Sequence, residues 1–139
     1  MTICTDGKQK ILCDLVGRGA LTPPLINLTP IGRVVEKHIL RTGDIYPSVT
    51  IDKYVIMPNH VHLIIVIRAP DGGVRPPRPT HLPSVVRSIK AMVTREVGHS
   101  VWQASFYDHI IRSRPDYLRI WQYIDENPAR WAEDEYYSM

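Results

Sequence analysis

Met57-Pro58-Asn59-His60-Val61-His62-Leu63-Ile64-Ile65-Val66-Ile67 is the stretch on which the reading of this chain turns. Pro58-Asn59 is turn chemistry: proline fixes one backbone angle, and asparagine tolerates the tight conformations beside it. Upstream, from Ser48 to Met57, Val49, Ile51 and Val55 mark one face of a strand that becomes apolar throughout near its end. Downstream, His60 to Arg68 reads as a second strand. Ile64 and Val66 share the face of His60 and His62, while Val61, Leu63, Ile65 and Ile67 take the other. A strand apolar on both faces belongs in the middle of a sheet. The two strands therefore predict a hairpin whose tight end lies beside two imidazoles that project the same way and can reach one cation. By itself an H-x-H pair is a weak signal, and two partly buried polar residues fit the same spacing.

Working outward, Thr29-Pro30 supplies a helix N-cap and a first-turn proline before Ile31, Val34, Val35 and Ile39, an apolar stripe at helical spacing, with Gly43 as the expected stop. Thr2 to Thr5 reads as the remnant of a strand. Ala69 to Thr80, with Gly72-Gly73 and four prolines, reads as a flexible loop within one domain. Leu82, Val85, Val86, Ile89, Met92, Val93 and Val97 form a second helical stripe ended by Gly98. Phe106 to Arg112 is expected to be a last strand. Ser113 and Asp116 form a capping pair for a helix from Arg114 to about Asn127, stopped by Pro128. This order predicts a single α+β domain over residues 1–139: a mainly antiparallel, ferredoxin-like sheet with helices on one face, followed by an additional C-terminal helix.

Seventeen Lys and Arg against fourteen Asp and Glu give a net charge of +3 and a pI near 9.0, which suits a polyanionic partner without demonstrating one. Arg87, Lys90 and Arg95 occupy the outer face of the second helix, as a solvated basic face or as a contact for a DNA backbone. No run of eighteen apolar residues is present, and the start, Met1 to Asp6, lacks a signal-peptide layout. Cys4 and Cys13 make neither a disulfide framework nor a zinc set, and read as thiols of a reducing cytoplasm.

Tyr123 and Asn127 lie one turn apart on one face of the C-terminal helix, with Asp116 and Ile120 roughly in line. Tyr117, Trp121 and Ile124 cluster on the neighbouring face, the expected core side. Tyr123 then stands at the border between core and solvent, as a presented nucleophile or an ordinary amphipathic tyrosine.

Taken together, Met57-Pro58-Asn59-His60-Val61-His62-Leu63, Val101-Trp102-Gln103, Phe106-Tyr107-Asp108-His109-Ile110-Ile111-Arg112 and Tyr123-Ile124-Asp125-Glu126-Asn127-Pro128 resemble the REP-associated tyrosine transposases. These belong to the IS200-like, single-tyrosine HUH transposases, and the resemblance runs from Thr2 to about Trp131. It implies a metal site on His60, His62 and Asn127, with Mg2+ or Mn2+ as cofactor, and Tyr123 as nucleophile. Tyr107 competes for that role but sits in a strand without a ligand-type residue beside it. The implied reaction is nicking and joining of single-stranded or hairpin DNA, such as a REP-like palindrome, through a 5′-phosphotyrosine, in the bacterial cytoplasm and nucleoid. Candidate DNA contacts are Arg87, Lys90 and Arg95, with Trp102, Gln103 and Arg112 from the matched segments; Trp121 and Trp131 are further aromatic candidates for stacking bases. The resemblance leaves monomer and homodimer both open and implies no membrane partner. Compared with the family, the first strand starts at Met1 and the chain stops at Met139, which leaves room for a domesticated DNA-binding protein of the same fold. A metal-dependent hydrolase using the histidine pair and water is the remaining alternative.

Overall fold

The computed structural model describes residues 1–16, 25–68 and 82–131; the loop expected over 69–80 lies outside them. Among the described residues there are five strands: β1 (Thr2–Cys4), β2 (Cys13–Val16), β3 (Leu25–Leu28), β4 (Val49–Ile56) and β5 (His60–Ile67). The helices are α1 (Pro30–Leu40), a short α2 (Thr42–Ile45), α3 (Leu82–Val97) and α4 (Arg114–Glu126). The main sheet runs β1-β5-β4, antiparallel throughout, so the doubly apolar β5 is indeed its central strand. The β4–β5 turn closes on Pro58-Asn59, where the Met57 N–H donates to the His60 carbonyl at 2.8 Å.

The last strand expected over Phe106 to Arg112 is not formed. The chain instead touches the free edge of β1 at two isolated bridges, Thr5 with Trp102 and Thr2 with Tyr107. The two bridges differ in register by two residues, and β1 is only three residues long, so no continuous ladder can form. The spatial order of 101–107, β1, β5 and β4 is nevertheless ferredoxin-like. The β2–β3 hairpin is an addition that the sequence pattern does not predict.

Helices cover both faces. α1 and α3 bury Val35, Ile39, Val86 and Val93 against Val61 and Leu63 of β5, forming the larger core. On the opposite face α4 packs Ile124, Ile120 and Tyr117 against Val55, Met57 and Ile64. Each fully buried aliphatic side chain contributes about 1.5–3 kcal/mol relative to exposure, so these two layers fix which edge of each helix meets the sheet. Trp121, expected on the core side of α4, is 37% exposed instead; Ile120 takes its place.

The α1 start follows the sequence. The Thr29 hydroxyl accepts from the Gly32 N–H at 3.0 Å and lies 2.6 and 3.0 Å from the carbonyl oxygens of Ile11 and Leu12. This pins the first turn of α1 against the backbone leading into β2, where a Cβ on Gly32 would stand 1.9 Å from the Leu12 oxygen. Gly43 is not the stop: α1 ends at Leu40 and Gly43 falls within α2, where Thr42 bonds back to the His38 carbonyl and restarts a helical turn. Gly98 does end α3, with φ at +91°. Ser113 caps α4 by accepting from the Asp116 N–H at 3.3 Å. The Asp116 carboxylate does not reach back to complete a capping box; it pairs with His109 and Arg119.

One strand face departs from the expected alternation. Val49 packs with Val85 and Ile89 of α3, whereas Val55 faces α4. A bulge between Ile51 and Lys53 inserts one residue into β4 and reverses the alternation.

Candidate active site

β5 starts at His60, so His60 and His62 project from its first turn on the face that α4 covers. His60 is wholly buried and His62 is 5% exposed. Their Nε2 atoms stand 3.1 Å apart with the rings edge to face. Each ring is held through its other nitrogen: His60 Nδ1 lies 2.8 Å from Asn59 Oδ1, and His62 Nδ1 lies 2.8 Å from Thr2 Oγ1. Asn59 Nδ2 donates to the Lys8 carbonyl at 3.5 Å, which turns Asn59 Oδ1 toward His60 as an acceptor. The Nδ1–H of His60 therefore donates, and its Nε2 carries the lone pair. Burial, the neighbouring His60 and the amino terminus push the His62 pKa down to about 3. A neutral imidazole is the form that ligates metals.

The α4 segment and its continuation lie over the pair. The Tyr123 ring meets the His62 ring edge-on at 5.3 Å between centroids, and the Trp131 ring covers His60 at 5.9 Å. Asn127 is midway between them in the sequence, on the same helical face and 3% exposed, and its Oδ1 is buried with no hydrogen-bond partner. An orphaned buried carbonyl oxygen costs about 1–3 kcal/mol unless something satisfies it. Tyr123 is 47% exposed, with its ring edge against His62.

This donor set fits a divalent cation. Two nitrogens about 2.1 Å from a metal and at right angles to each other lie about 3 Å apart, close to the observed separation. Among the described residues no group of three His, Cys, Asp or Glu could hold a metal. The unsatisfied Asn127 Oδ1 is the group that could add an oxygen to the two nitrogens. Thr2 suits either state of the pair, because a hydroxyl can donate to His62 Nδ1 or accept from it. A cleft of about 690 Å³ opens beside His62 and Tyr123, walled by Ile64, Ile111 and Ile120, with His109 and Arg119 among its lining residues.

The structure brings Tyr123 against His62 and Trp131 against His60, with the buried Asn127 between them in the chain, but it does not gather the other candidates there. Tyr107 is exposed on the far edge of β1. Arg87 and Arg95 are exposed on α3, the opposite face of the sheet from α4, and Arg112 is exposed just before α4. The Lys90 ammonium donates to the carbonyls of Gln103 and Ser105 at 2.7 and 3.1 Å, so it clamps that loop. Gln103 is half-buried, and its backbone N–H donates to the Cys4 carbonyl. Trp102, expected as a DNA contact, is instead 8% exposed within the larger core, so its faces are closed to a base. Trp121 instead stacks under the Lys53 ammonium at 4.0 Å. Thr2 and the orienting role of Asn59 emerge only from the structure. Asn59 belongs to the Met57–Leu63 motif and could have been found there, whereas Thr2 depends on strand register.

Fold and site together define an α+β domain in which a helix-borne tyrosine faces a buried histidine pair on the central strand of an antiparallel sheet. No family profile matches this sequence. The chain is 34% identical over 155 aligned positions to an uncharacterised protein of Haemophilus influenzae, covering 99% of this chain and 83% of that one, and it belongs to the same family. It is also 32% identical over 81 positions to a REP-associated tyrosine transposase of Escherichia coli, spanning 58% of this chain and 44% of that protein. Its fold matches a solved REP-associated tyrosine transposase bound to a REP hairpin, with a TM-score of 0.67 at 22% identity, over 96% of this chain and 67% of the other. Among the described residues no helix is long and apolar enough to cross a membrane.

Proposed function

We propose that this protein nicks and rejoins single-stranded or hairpin DNA by tyrosine attack at a metal-assisted HUH-type site. The observation that carries the reading is the Tyr123 ring seated against His62, with the unsatisfied Asn127 oxygen one turn further along the same helix. A Mg2+ or Mn2+ ion bound by His60, His62 and Asn127 would supply charge neutralisation at the scissile phosphate. With such an ion bound, Asn59 and Thr2 would each accept from an Nδ1–H, leaving both Nε2 lone pairs, 3.1 Å apart, for the metal. The Tyr123 oxygen attacks phosphorus, the bond to the 3′ oxygen breaks, and that oxygen leaves as a hydroxyl while a 5′-phosphotyrosine forms. Rejoining is the reverse attack by a 3′-hydroxyl, so bond energy is conserved and no nucleotide cofactor is consumed. Burial of the histidines excludes water from one side of the site, and the adjoining cleft gives the strand a way in. Arg112, exposed just before α4, would contact the phosphate backbone beside the site, and Arg87 and Arg95 on the far face would meet only DNA that extends beyond it. Such a chain would act in the cytoplasm.

The test is incubation with an end-labelled single-stranded hairpin and MnCl2. A covalent protein–DNA adduct in the native protein that disappears in Tyr123→Phe supports the reading. Retarded but uncut DNA identifies a binding protein of the same fold, and cleavage without adduct that survives Tyr123→Phe identifies a hydrolase.

A further inference from the structure

In a regular strand neighbouring residues point to opposite faces, yet Asp52 and Lys53 both reach α4. The Tyr117 hydroxyl donates to the Asp52 carboxylate. Lys53 Nζ donates to Asp125 Oδ1 at 2.8 Å and lies 4.0 Å over the Trp121 ring. Side-chain directions along β4 show the cause. Ile51 faces the α1 and α3 side, Tyr54 bonds Glu36 of α1, and Val55 faces α4. The bulge between Ile51 and Lys53 gives α4 two consecutive side chains where an unbroken strand would give one.

The two side chains grip α4 at separated points. Tyr117 and Asp125 are eight residues apart, about 12 Å along a helix axis. Tyr123 lies between them. Ile120 and Ile124 alone leave the helix able to slide or roll on an apolar face, because hydrophobic packing has little directionality. Two polar interactions at fixed points on the bulge remove both freedoms.

We infer that the Asp52–Lys53 bulge is a positioning device that sets the register and rotation of α4, and so places the Tyr123 ring against His62. Its meaning for chemistry rests on the proposed tyrosine attack, but its geometry can be read separately. A reacting atom displaced by about 1 Å can cost about 100-fold in rate.

The experiment compares native protein, Lys53→Glu and Lys53→Arg, with Asp52→Ala as a second way of breaking the grip, at a temperature where circular dichroism shows each variant fully folded. Two quantities are measured: the adduct-forming rate on a labelled single-stranded hairpin with MnCl2, and the nuclear Overhauser signal between the Tyr123 and His62 rings. In Lys53→Glu and Asp52→Ala the rate is expected to fall about 10- to 100-fold and the ring-to-ring signal to vanish, while hairpin affinity stays within about threefold. Lys53→Arg, which keeps both the ion pair and the stacked cation, retains the rate and the signal. Lys53→Glu and Asp52→Ala with an undiminished signal overturn the inference, whatever their rate. If native protein forms no adduct, but the signal vanishes in these variants and persists in Lys53→Arg, the proposed function fails and the positioning role stands.

Discussion

Asn127→Leu separates a metal ligand from a structural amide, because the two roles move stability in opposite directions. Asn127 is 3% exposed and its Oδ1 has no partner. Without a cation that oxygen is a burden, and replacing it with an apolar group of similar size should relieve a desolvation cost of about 1–2 kcal/mol. The backbone is not at risk: Asn127 has helical angles, and its N–H bond to the Ile124 carbonyl does not involve the side chain. For a domain of this size the gain corresponds to a melting temperature raised by about 3–8 °C in EDTA. Manganese affinity should move the other way. Changes to residues that merely orient a ligand cost about 10- to 100-fold, so losing a direct ligand should cost at least about 100-fold. Thermal melts in EDTA and calorimetric titration with MnCl2 measure both. A variant destabilised by more than about 1 kcal/mol in EDTA, with manganese affinity within about threefold of native, would refute the ligand assignment.

Three further outcomes follow from the packing. Thr2→Val removes the hydroxyl from His62 Nδ1 while keeping side-chain volume, and should weaken manganese binding about 10- to 100-fold in calorimetry without altering the circular dichroism spectrum. Gly32→Ala places a Cβ 1.9 Å from the Leu12 oxygen, so the first turn of α1 must lift off β2. A loss of about 3 kcal/mol, the upper end of the usual overpacking cost, is expected in urea unfolding, and an unchanged midpoint would count against the packing described. Cys13 donates its thiol to the Ile56 carbonyl, and burial with Asp14 nearby pushes its pKa up to about 12. Its alkylation by iodoacetamide at pH 8 should be negligible in the native fold and fast in urea; equal rates would show that the thiol is accessible.

The local features of the chain were legible because short-range rules govern them. The Thr29 cap, the Gly98 stop, the Ser113 cap and the two-sided apolar character of β5 each depend on residues within one or two turns of one another. Features that depend on a distant partner were not. Whether Phe106 to Arg112 forms a strand depends on how much edge β1 offers, and two bridges are all it provides. The β4 bulge carries no mark in its own sequence, so period-two reasoning puts Val49 and Val55 on one face when the fold puts them on two. Trp121 and Ile120 exchange places for a related reason: the rotation of α4 is set from β4, not from α4 itself.

For the candidate site the division is sharper. Sequence spacing alone determined that His60 and His62 share a strand face and that Tyr123 and Asn127 share a helix face, because the backbone periods of 2 and 3.6 require it. Only the tertiary structure decided that the two faces meet. It turned Asn59 and Thr2 toward the far sides of the imidazoles, brought the two Nε2 atoms to 3.1 Å, and buried the Asn127 oxygen without a partner. No local rule could supply that meeting, since β5 and α4 are joined by more than forty residues of chain and held together by the apolar layer and the bulge between them.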